Sequence, residues 1–289
     1  MKKILSILII LCLLLLPGCS TGEAPAPVVA TTRAVYDLTA LLCRSTGITV
    51  DLLITENLSC LHDYTLQVRQ MRAIEGAEVV IVSGAGLEDF LSDALADTDF
   101  VIDASSGIPL LCHDHDHGHG DHHHEEDPHI WLSVSNARIM ADNICQGLIE
   151  KYLQYRDVFI ANLDKVLSDL DALDSYGKQA FSSLKSRDLI TFHDGFAYFA
   201  QYWDLNILHS LEEESGSEAS ASELKELIRL VRDYGIPAIF TEENGSVSAA
   251  GIIAAETGIS VYALNMGMSD MGYFEAMYHN INTIKEALG

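Results

Sequence analysis

Short apolar runs alternate with helical patterns along this chain in two blocks, and one long amphipathic stretch separates them. Strand-like runs lie at Val28-Val29-Ala30-Thr31, Ile48 to Ile54, Val79 to Ser83 and Phe100 to Asp103. Helical patterns fill the gaps at Val35 to Arg44, Leu66 to Ile74 and Leu87 to Leu95. Such alternation predicts a mostly parallel sheet covered by helices. The run Val79-Val80-Ile81-Val82 has the composition of a strand buried on both faces. A helix is expected from Ser135 to Tyr152. After it Phe159, Leu163, Val166, Leu170, Leu173, Tyr176, Ala180 and Leu184 recur at three- and four-residue steps, the signature of one long amphipathic helix. The alternation then resumes with strands at Asp188 to Phe192, Asn206 to His209, Ala238 to Thr241 and Val261 to Leu264. Ser220, with Glu223 three residues on, opens a helix that runs to Tyr234. The simplest α/β architecture is two lobes, an N-terminal one at 28–155 and a C-terminal one at 185–289, joined by a linking helix at 156–184. A single large doubly wound domain is the alternative. Ligands of such folds collect at the carboxyl ends of strands, and two lobes put the pocket in a cleft.

The first residues are read as a leader rather than as fold. Lys2 and Lys3 precede an apolar run from Ile4 to Leu16, too short for the roughly 20 residues of a spanning helix. Leu16-Pro17-Gly18-Cys19 follows, a small residue before a cysteine, the pattern of a bacterial lipoprotein signal at 1–18 with Cys19 acylated. Residues 19–27 are polar and proline-rich and read as a tether. The chain has 17 Lys+Arg against 42 Asp+Glu and a formal charge of −25, so nucleic acid is excluded as a partner. The acidity reads as serving solubility, with a field that draws cations as the sharper alternative. Beyond Cys12 and Cys19, the cysteines Cys43, Cys60, Cys112 and Cys145 allow three pairings among which spacing does not choose. None forms a CxxC pair.

Histidine carries the chemistry. Residues 113–127 form a tract of His, Asp, Gly and Glu, with His113, His115, His117, His119, His122, His123 and His124 in it. It reads as an auxiliary metal collector rather than one defined site. Three histidines stand apart from the tract: His62 in Leu61-His62-Asp63-Tyr64, His129 in Asp127-Pro128-His129-Ile130-Trp131-Leu132, and His193 directly after the strand Leu189-Ile190-Thr191-Phe192. Imidazole is the usual nitrogen ligand of zinc, and three with one further donor complete a tetrahedron. Asp63 and Asp194 are either ring-orienting partners or helix caps. Met266, Met268 and Met271, like His209 and His279, are read as structural.

His62-Asp63-Tyr64, Pro128 to Leu132 and His193 to Phe199, in this order and with a His/Asp-rich loop before the second motif, resemble the histidine motifs of zinc and manganese solute-binding lipoproteins. These are the ZnuA/TroA-like subunits of ABC importers. Glu218 to Ile228 resembles that family's Glu-Pro-Ser helix start, with Ala219 in place of proline, and Phe240-Thr241-Glu242 its next strand end. The resemblance implies two α/β lobes joined by a rigid interlobe helix, with metal in the cleft held by His62, His129 and His193. It implies a fourth ligand just after the last strand, where aspartate is usual and Asn265 stands. Asp270 and Glu242 are alternatives. The implied cargo is Zn²⁺, with Mn²⁺ possible. The partners implied are an ABC permease and its ATPase, and the chain is expected as a monomer anchored through Cys19 on the extracytoplasmic face of the cell membrane.

Nitrogen donors favour zinc over manganese, which prefers oxygen. A zinc-dependent hydrolase is the competing reading, since three histidines with an open position can activate water. The chain has no HExxH, no GxSxG and no positioned nucleophile, so it is read as a transport protein and not an enzyme. Adhesion would be secondary to metal binding.

Overall fold

The computed structural model describes residues 27–56, 61, 64–113, 125–212, 220–243 and 248–289. The leader, Cys19, Cys60, His62, Asp63, the tract histidines His115, His117, His119, His122, His123 and His124, and Glu218-Ala219 lie outside them.

The first lobe is a parallel sheet of β1 (Val28–Ala30), β2 (Val50–Leu52), β3 (Val79–Val82) and β4 (Val101–Asp103), in the order β2-β1-β3-β4. Its crossovers carry α1 (Arg33–Leu42), α2 (Val68–Gly76) and the short α3 (Ser92–Leu95). Every side chain of β1 and β3 is buried, as parallel strands covered on both faces require. The helix expected over 87–95 is only partly realised: Glu88 turns inward and accepts from Thr31 Oγ1 (2.5 Å), Ser83 N (2.7 Å) and Gly84 N (3.0 Å). Those bonds hold 83–88 as a loop, and a regular helix starts only at Ser92. Burial pushes the Glu88 carboxyl up to about 7 against these three donors.

The stems of the histidine tract, β5 (Cys112–His113) and β6 (Glu125–Glu126), pair antiparallel, a ladder without any apolar pattern to announce it. Beyond it α4 (Val134–Lys151) opens at Ser133, whose hydroxyl receives Asn136 N.

The linking helix α5 spans Arg156–Phe181 and is 26 residues long. It is tied to both lobes. Buried Asn162 donates to the Leu42 and Arg44 carbonyls, both at 2.8 Å, satisfying acceptors at the end of α1. At the other end Gly177 faces Trp203, and a Cβ there would meet Trp203 Cη2 at 2.2 Å. Only glycine lets that indole lie on the helix.

The second lobe holds β7 (Asp188–His193), α6 (Ala197–Trp203), β8 (Asn206–Glu212), α7 (Ala221–Tyr234), β9 (Ala238–Glu242), α8 (Ser248–Thr257), β10 (Ser260–Leu264) and α9 (Tyr273–Leu288). Its sheet is parallel in the order β10-β9-β7-β8. The capping box at Ser220 and Glu223 forms as the sequence predicts.

One large hydrophobic cluster runs from β1 through the linking helix to α9, so the two lobes share a core. A second, smaller cluster, including Ile190, Leu227, Ile239 and Ile253, lies on the outer side of the second sheet beneath α7 and α8. Cys43, Cys112 and Cys145, whose pairing the sequence leaves open, are free thiols. Burial raises the Cys43 thiol to about 12 and the Cys145 thiol to about 11. Among the described residues no helix is long and apolar enough to cross a membrane.

Candidate metal centre

His129 stands just before a tight turn at Ile130–Leu132, with its side chain almost wholly buried. Asp127, completely buried, accepts twice through Oδ1: from His129 N at 2.9 Å and from the imidazole Nδ1 at 2.8 Å. A carboxylate on Nδ1 makes that nitrogen the proton carrier and leaves the Nε2 lone pair facing away from Asp127. The next anchor is Trp131, whose Nε1 donates to the Met266 carbonyl at 2.7 Å across the lobe boundary.

His193 arrives from the other side, as the last residue of β7. Its Nε2 lies 3.4 Å from His129 Nε2, with the two rings edge to face. Its Nδ1 lies 3.8 Å from Glu242 Oε1, in ion-pair range. Strand register explains the neighbour: Thr191 pairs with Phe240, which sets His193 beside Glu242 at the carboxyl ends of β7 and β9. Gly195 floors this side. A Cβ there would stand 2.4 Å from Met266 Cε and 2.7 Å from His193 Cδ2.

The two imidazoles therefore present Nε2 to one another, and each has a buried carboxylate on its Nδ1 side. Two imidazole nitrogens backed by buried carboxyl groups make a poor environment for an anion and a good one for a dication. Among the described residues no group of three His, Cys, Asp or Glu side chains gathers in metal-binding geometry.

Two of the other expected donors, Asn265 and Asp270, have partners of their own. Asn265 was expected as the fourth ligand. Its Oδ1 instead accepts from Gly267 N at 2.7 Å, and its Nδ2 donates to Glu243 Oε2 (2.5 Å) and Ser269 Oγ (2.8 Å). Buried Asn280 clips its backbone from both sides, at 2.8 and 2.7 Å. Asp270 is 83% exposed and 3.6 Å from the Arg33 guanidinium. Glu242 is at the site, on the Nδ1 side of His193 rather than the Nε2 side. Asp194, read as an orienting partner or a cap, accepts from Ser210 Oγ at 3.3 Å. His113 falls on β5 at the foot of the tract. Sequence reasoning missed Asp127 as the orienting group of His129, although a carboxylate two residues before the histidine, across a proline, was the available signal.

The chain is similar in sequence and fold to proteins already known. Residues 28–287 match the family model ZnuA, described as the periplasmic component A of the zinc-uptake complex. A Treponema pallidum (strain Nichols) relative named only for metal binding is 29% identical, covering 96% of this chain and 91% of its own. The zinc-binding lipoprotein AdcA of Streptococcus pneumoniae is 30% identical over 92% of this chain, which spans only 55% of AdcA. The manganese-binding lipoprotein MntA of Halalkalibacterium halodurans is 23% identical over 78% of this chain and 77% of its own. A crystal structure of ZnuA superposes with a TM-score of 0.80 at 29% identity, covering 91% of this chain and 100% of that one. With nearly its whole folded body matched, the chain belongs to the ZnuA family of metal-binding components.

Proposed function

We propose that this protein is the solute-binding lipoprotein of an ABC importer, which captures zinc in the cleft between its lobes and hands it to the membrane permease. His129 and His193 supply two nitrogens and His62 a third. The fourth position is left to water or a weak donor, since Asn265 is engaged in its own loop. The observation that carries this reading is the facing pair of Nε2 atoms at 3.4 Å. Zinc–nitrogen bonds of about 2.0–2.1 Å at a tetrahedral angle put two ligand nitrogens about 3.4 Å apart. A lone hydrogen-bonded histidine pair needs neither the second carboxylate nor the burial.

Manganese is the second reading, favoured by the MntA relative. The donors that face each other are nitrogens and the nearby carboxylates stand behind them, which supports zinc. Acylated Cys19 would hold the monomer on the extracytoplasmic face of the membrane, with the permease and its ATPase as partners. The histidine tract would gather ions near the cleft. No role in turnover is assigned, in keeping with a family of metal-binding components.

Native mass spectrometry of the metal-stripped chain titrated with zinc and manganese tests the reading. One tight zinc is expected, retained when 114–124 is deleted, which leaves Asp127 in place, and lost in His129→Ala/His193→Ala. Tight manganese at the same site would replace zinc as the cargo, and loss of all tight binding with the tract deletion would sink the cleft site.

A further inference from the structure

Residues 265–272, between β10 and α9, belong in sequence to the second lobe, yet they are held from the first. Arg33 and Asp37 lie one turn apart on α1. Arg33 Nε donates to the Ser269 carbonyl at 3.1 Å, and its guanidinium lies 3.9 Å from Asp37. Asp37 Oδ2 accepts the Tyr273 backbone N–H at 2.6 Å. Helix α9 has Gly272 at its N-cap and no side chain of its own to cap it. A carboxylate from the first lobe therefore satisfies one of the orphan N–H groups at the start of a second-lobe helix, where negative charge is also favoured. The pocket side of the same segment is tied to the turn that carries His129. Trp131 Nε1 binds the Met266 carbonyl, and Tyr273 OH donates to the Trp131 carbonyl at 3.0 Å. Met266 in turn packs where Gly195 and the His193 ring meet.

We propose that Arg33 and Asp37 are positioning residues for the metal site: by strapping the 265–273 segment to α1 they set the spacing of His129 and His193 without touching the ion. The inference rests on the reading of those two histidines as donors. The strap joins the lobe that carries His129 to the loop that buttresses His193, so a slack strap lets the two nitrogens part. Release of the ion should accelerate, while the set of donors stays the same.

The full-length chain is compared with Asp37→Ala, Arg33→Ala and Asp37→Asn, the last of which keeps an acceptor for Tyr273 N–H. Zinc release into excess chelator is followed by stopped flow, and the cobalt-substituted absorption spectrum reports the donor set. The two alanine variants should release zinc about fivefold faster or more, the order that coupling through positioned residues gives. Their cobalt spectra should be unchanged, and Asp37→Asn should behave as the parent does. Unchanged release in both alanine variants overturns the inference. So does equal acceleration in Asp37→Asn and Asp37→Ala, because the acceptor would then be irrelevant. If Asp37→Ala does not fold, Arg33→Ala decides alone. A parent chain with no tight zinc overturns the donor reading itself, an outcome separate from a failure of the strap.

Discussion

The two four-stranded sheets are built alike, and each has a buried glutamate at the carboxyl ends of its strands. In the first lobe Glu88 gathers Thr31 and the backbone of Ser83 and Gly84, and so closes the sheet end with the lobe's own groups. In the second lobe Glu242 stands beside His193, and the strand end opens onto the histidine pair. The packing behind the two sheets differs in the same sense. The first lobe lies wholly inside the shared core, whereas the outer side of the second sheet rests on a small cluster of its own. A parallel sheet offers the same polar strand ends wherever it occurs. Whether they become a binding site depends on whether the chain closes them with its own carboxylate or turns that carboxylate toward a ligand.

If the shared core makes the first lobe, the linking helix and the inner face of the second lobe one cooperative body, removing buried volume from that helix should have the largest effect. Leu170→Ala, at a completely buried position, is expected to cost about 2–5 kcal/mol and to keep a single unfolding transition. Leu227→Ala in the outer cluster should fall at the lower end of that range and loosen α7 and α8 selectively in amide exchange. Two separate transitions in Leu170→Ala, by calorimetry, would break the picture of a shared core.

The closed strand end of the first lobe should show itself in pH. Glu88 is raised from 4.5 to about 7 by burial, so the folded state holds its proton more tightly than the unfolded chain. Its contribution is complete below about pH 4.5 and is lost as pH rises through about 7, a swing of about 3 kcal/mol at most. Denaturation of the parent and of Glu88→Gln across this window should give a stability difference that shrinks as pH rises. A constant difference would show that the carboxyl is already ionised when folded.

The seam between the linking helix and the second lobe gives a smaller effect. Gly177→Ala drives a methyl into the Trp203 ring and is expected to cost about 1–3 kcal/mol. Thermal unfolding measures it, and the neighbouring Ala180→Gly serves as the comparison for helix propensity.

Much of this fold was legible because its signals are local. The runs at 79–82 and 238–240 are apolar without alternation, and the linking helix repeats its apolar positions over several turns. Strand and helix boundaries shifted by two or three residues where a distant group intervened, as when Asn162 caps α1 from the linking helix. Glu88 was unreadable for the same reason: nothing in Leu87-Glu88-Asp89 tells that Thr31 waits for it. At the site, His129 and His193 could be singled out from their motifs. Glu242 became an orienting group only through the register of β7 with β9, which is a property of the folded sheet. Asn265 reads as a donor in one dimension and as a brace once Glu243, Ser269 and Asn280 surround it.

The sharpest test of the open strand end compares the two orienting carboxylates. Asp127 holds His129 by a 2.8 Å hydrogen bond to Nδ1, while Glu242 stands 3.8 Å from Nδ1 of His193. Loss of an outer-shell partner typically costs about 10–100-fold in metal affinity. Asp127→Asn should lie near the upper end, because the shorter bond fixes both the tautomer and the ring angle and because Oδ1 also receives His129 N. Glu242→Gln keeps an acceptor at a distance where orientation is already loose, and it removes a buried negative charge that attracts the dication. Its effect should therefore be smaller and should depend more on charge than on geometry. Zinc competition titrations of Asp127→Asn, Glu242→Gln and the double variant separate the two contributions. Additive losses would mean that each carboxylate serves its own ring, whereas a double variant no weaker than Asp127→Asn would mean that the His129 side alone governs the affinity.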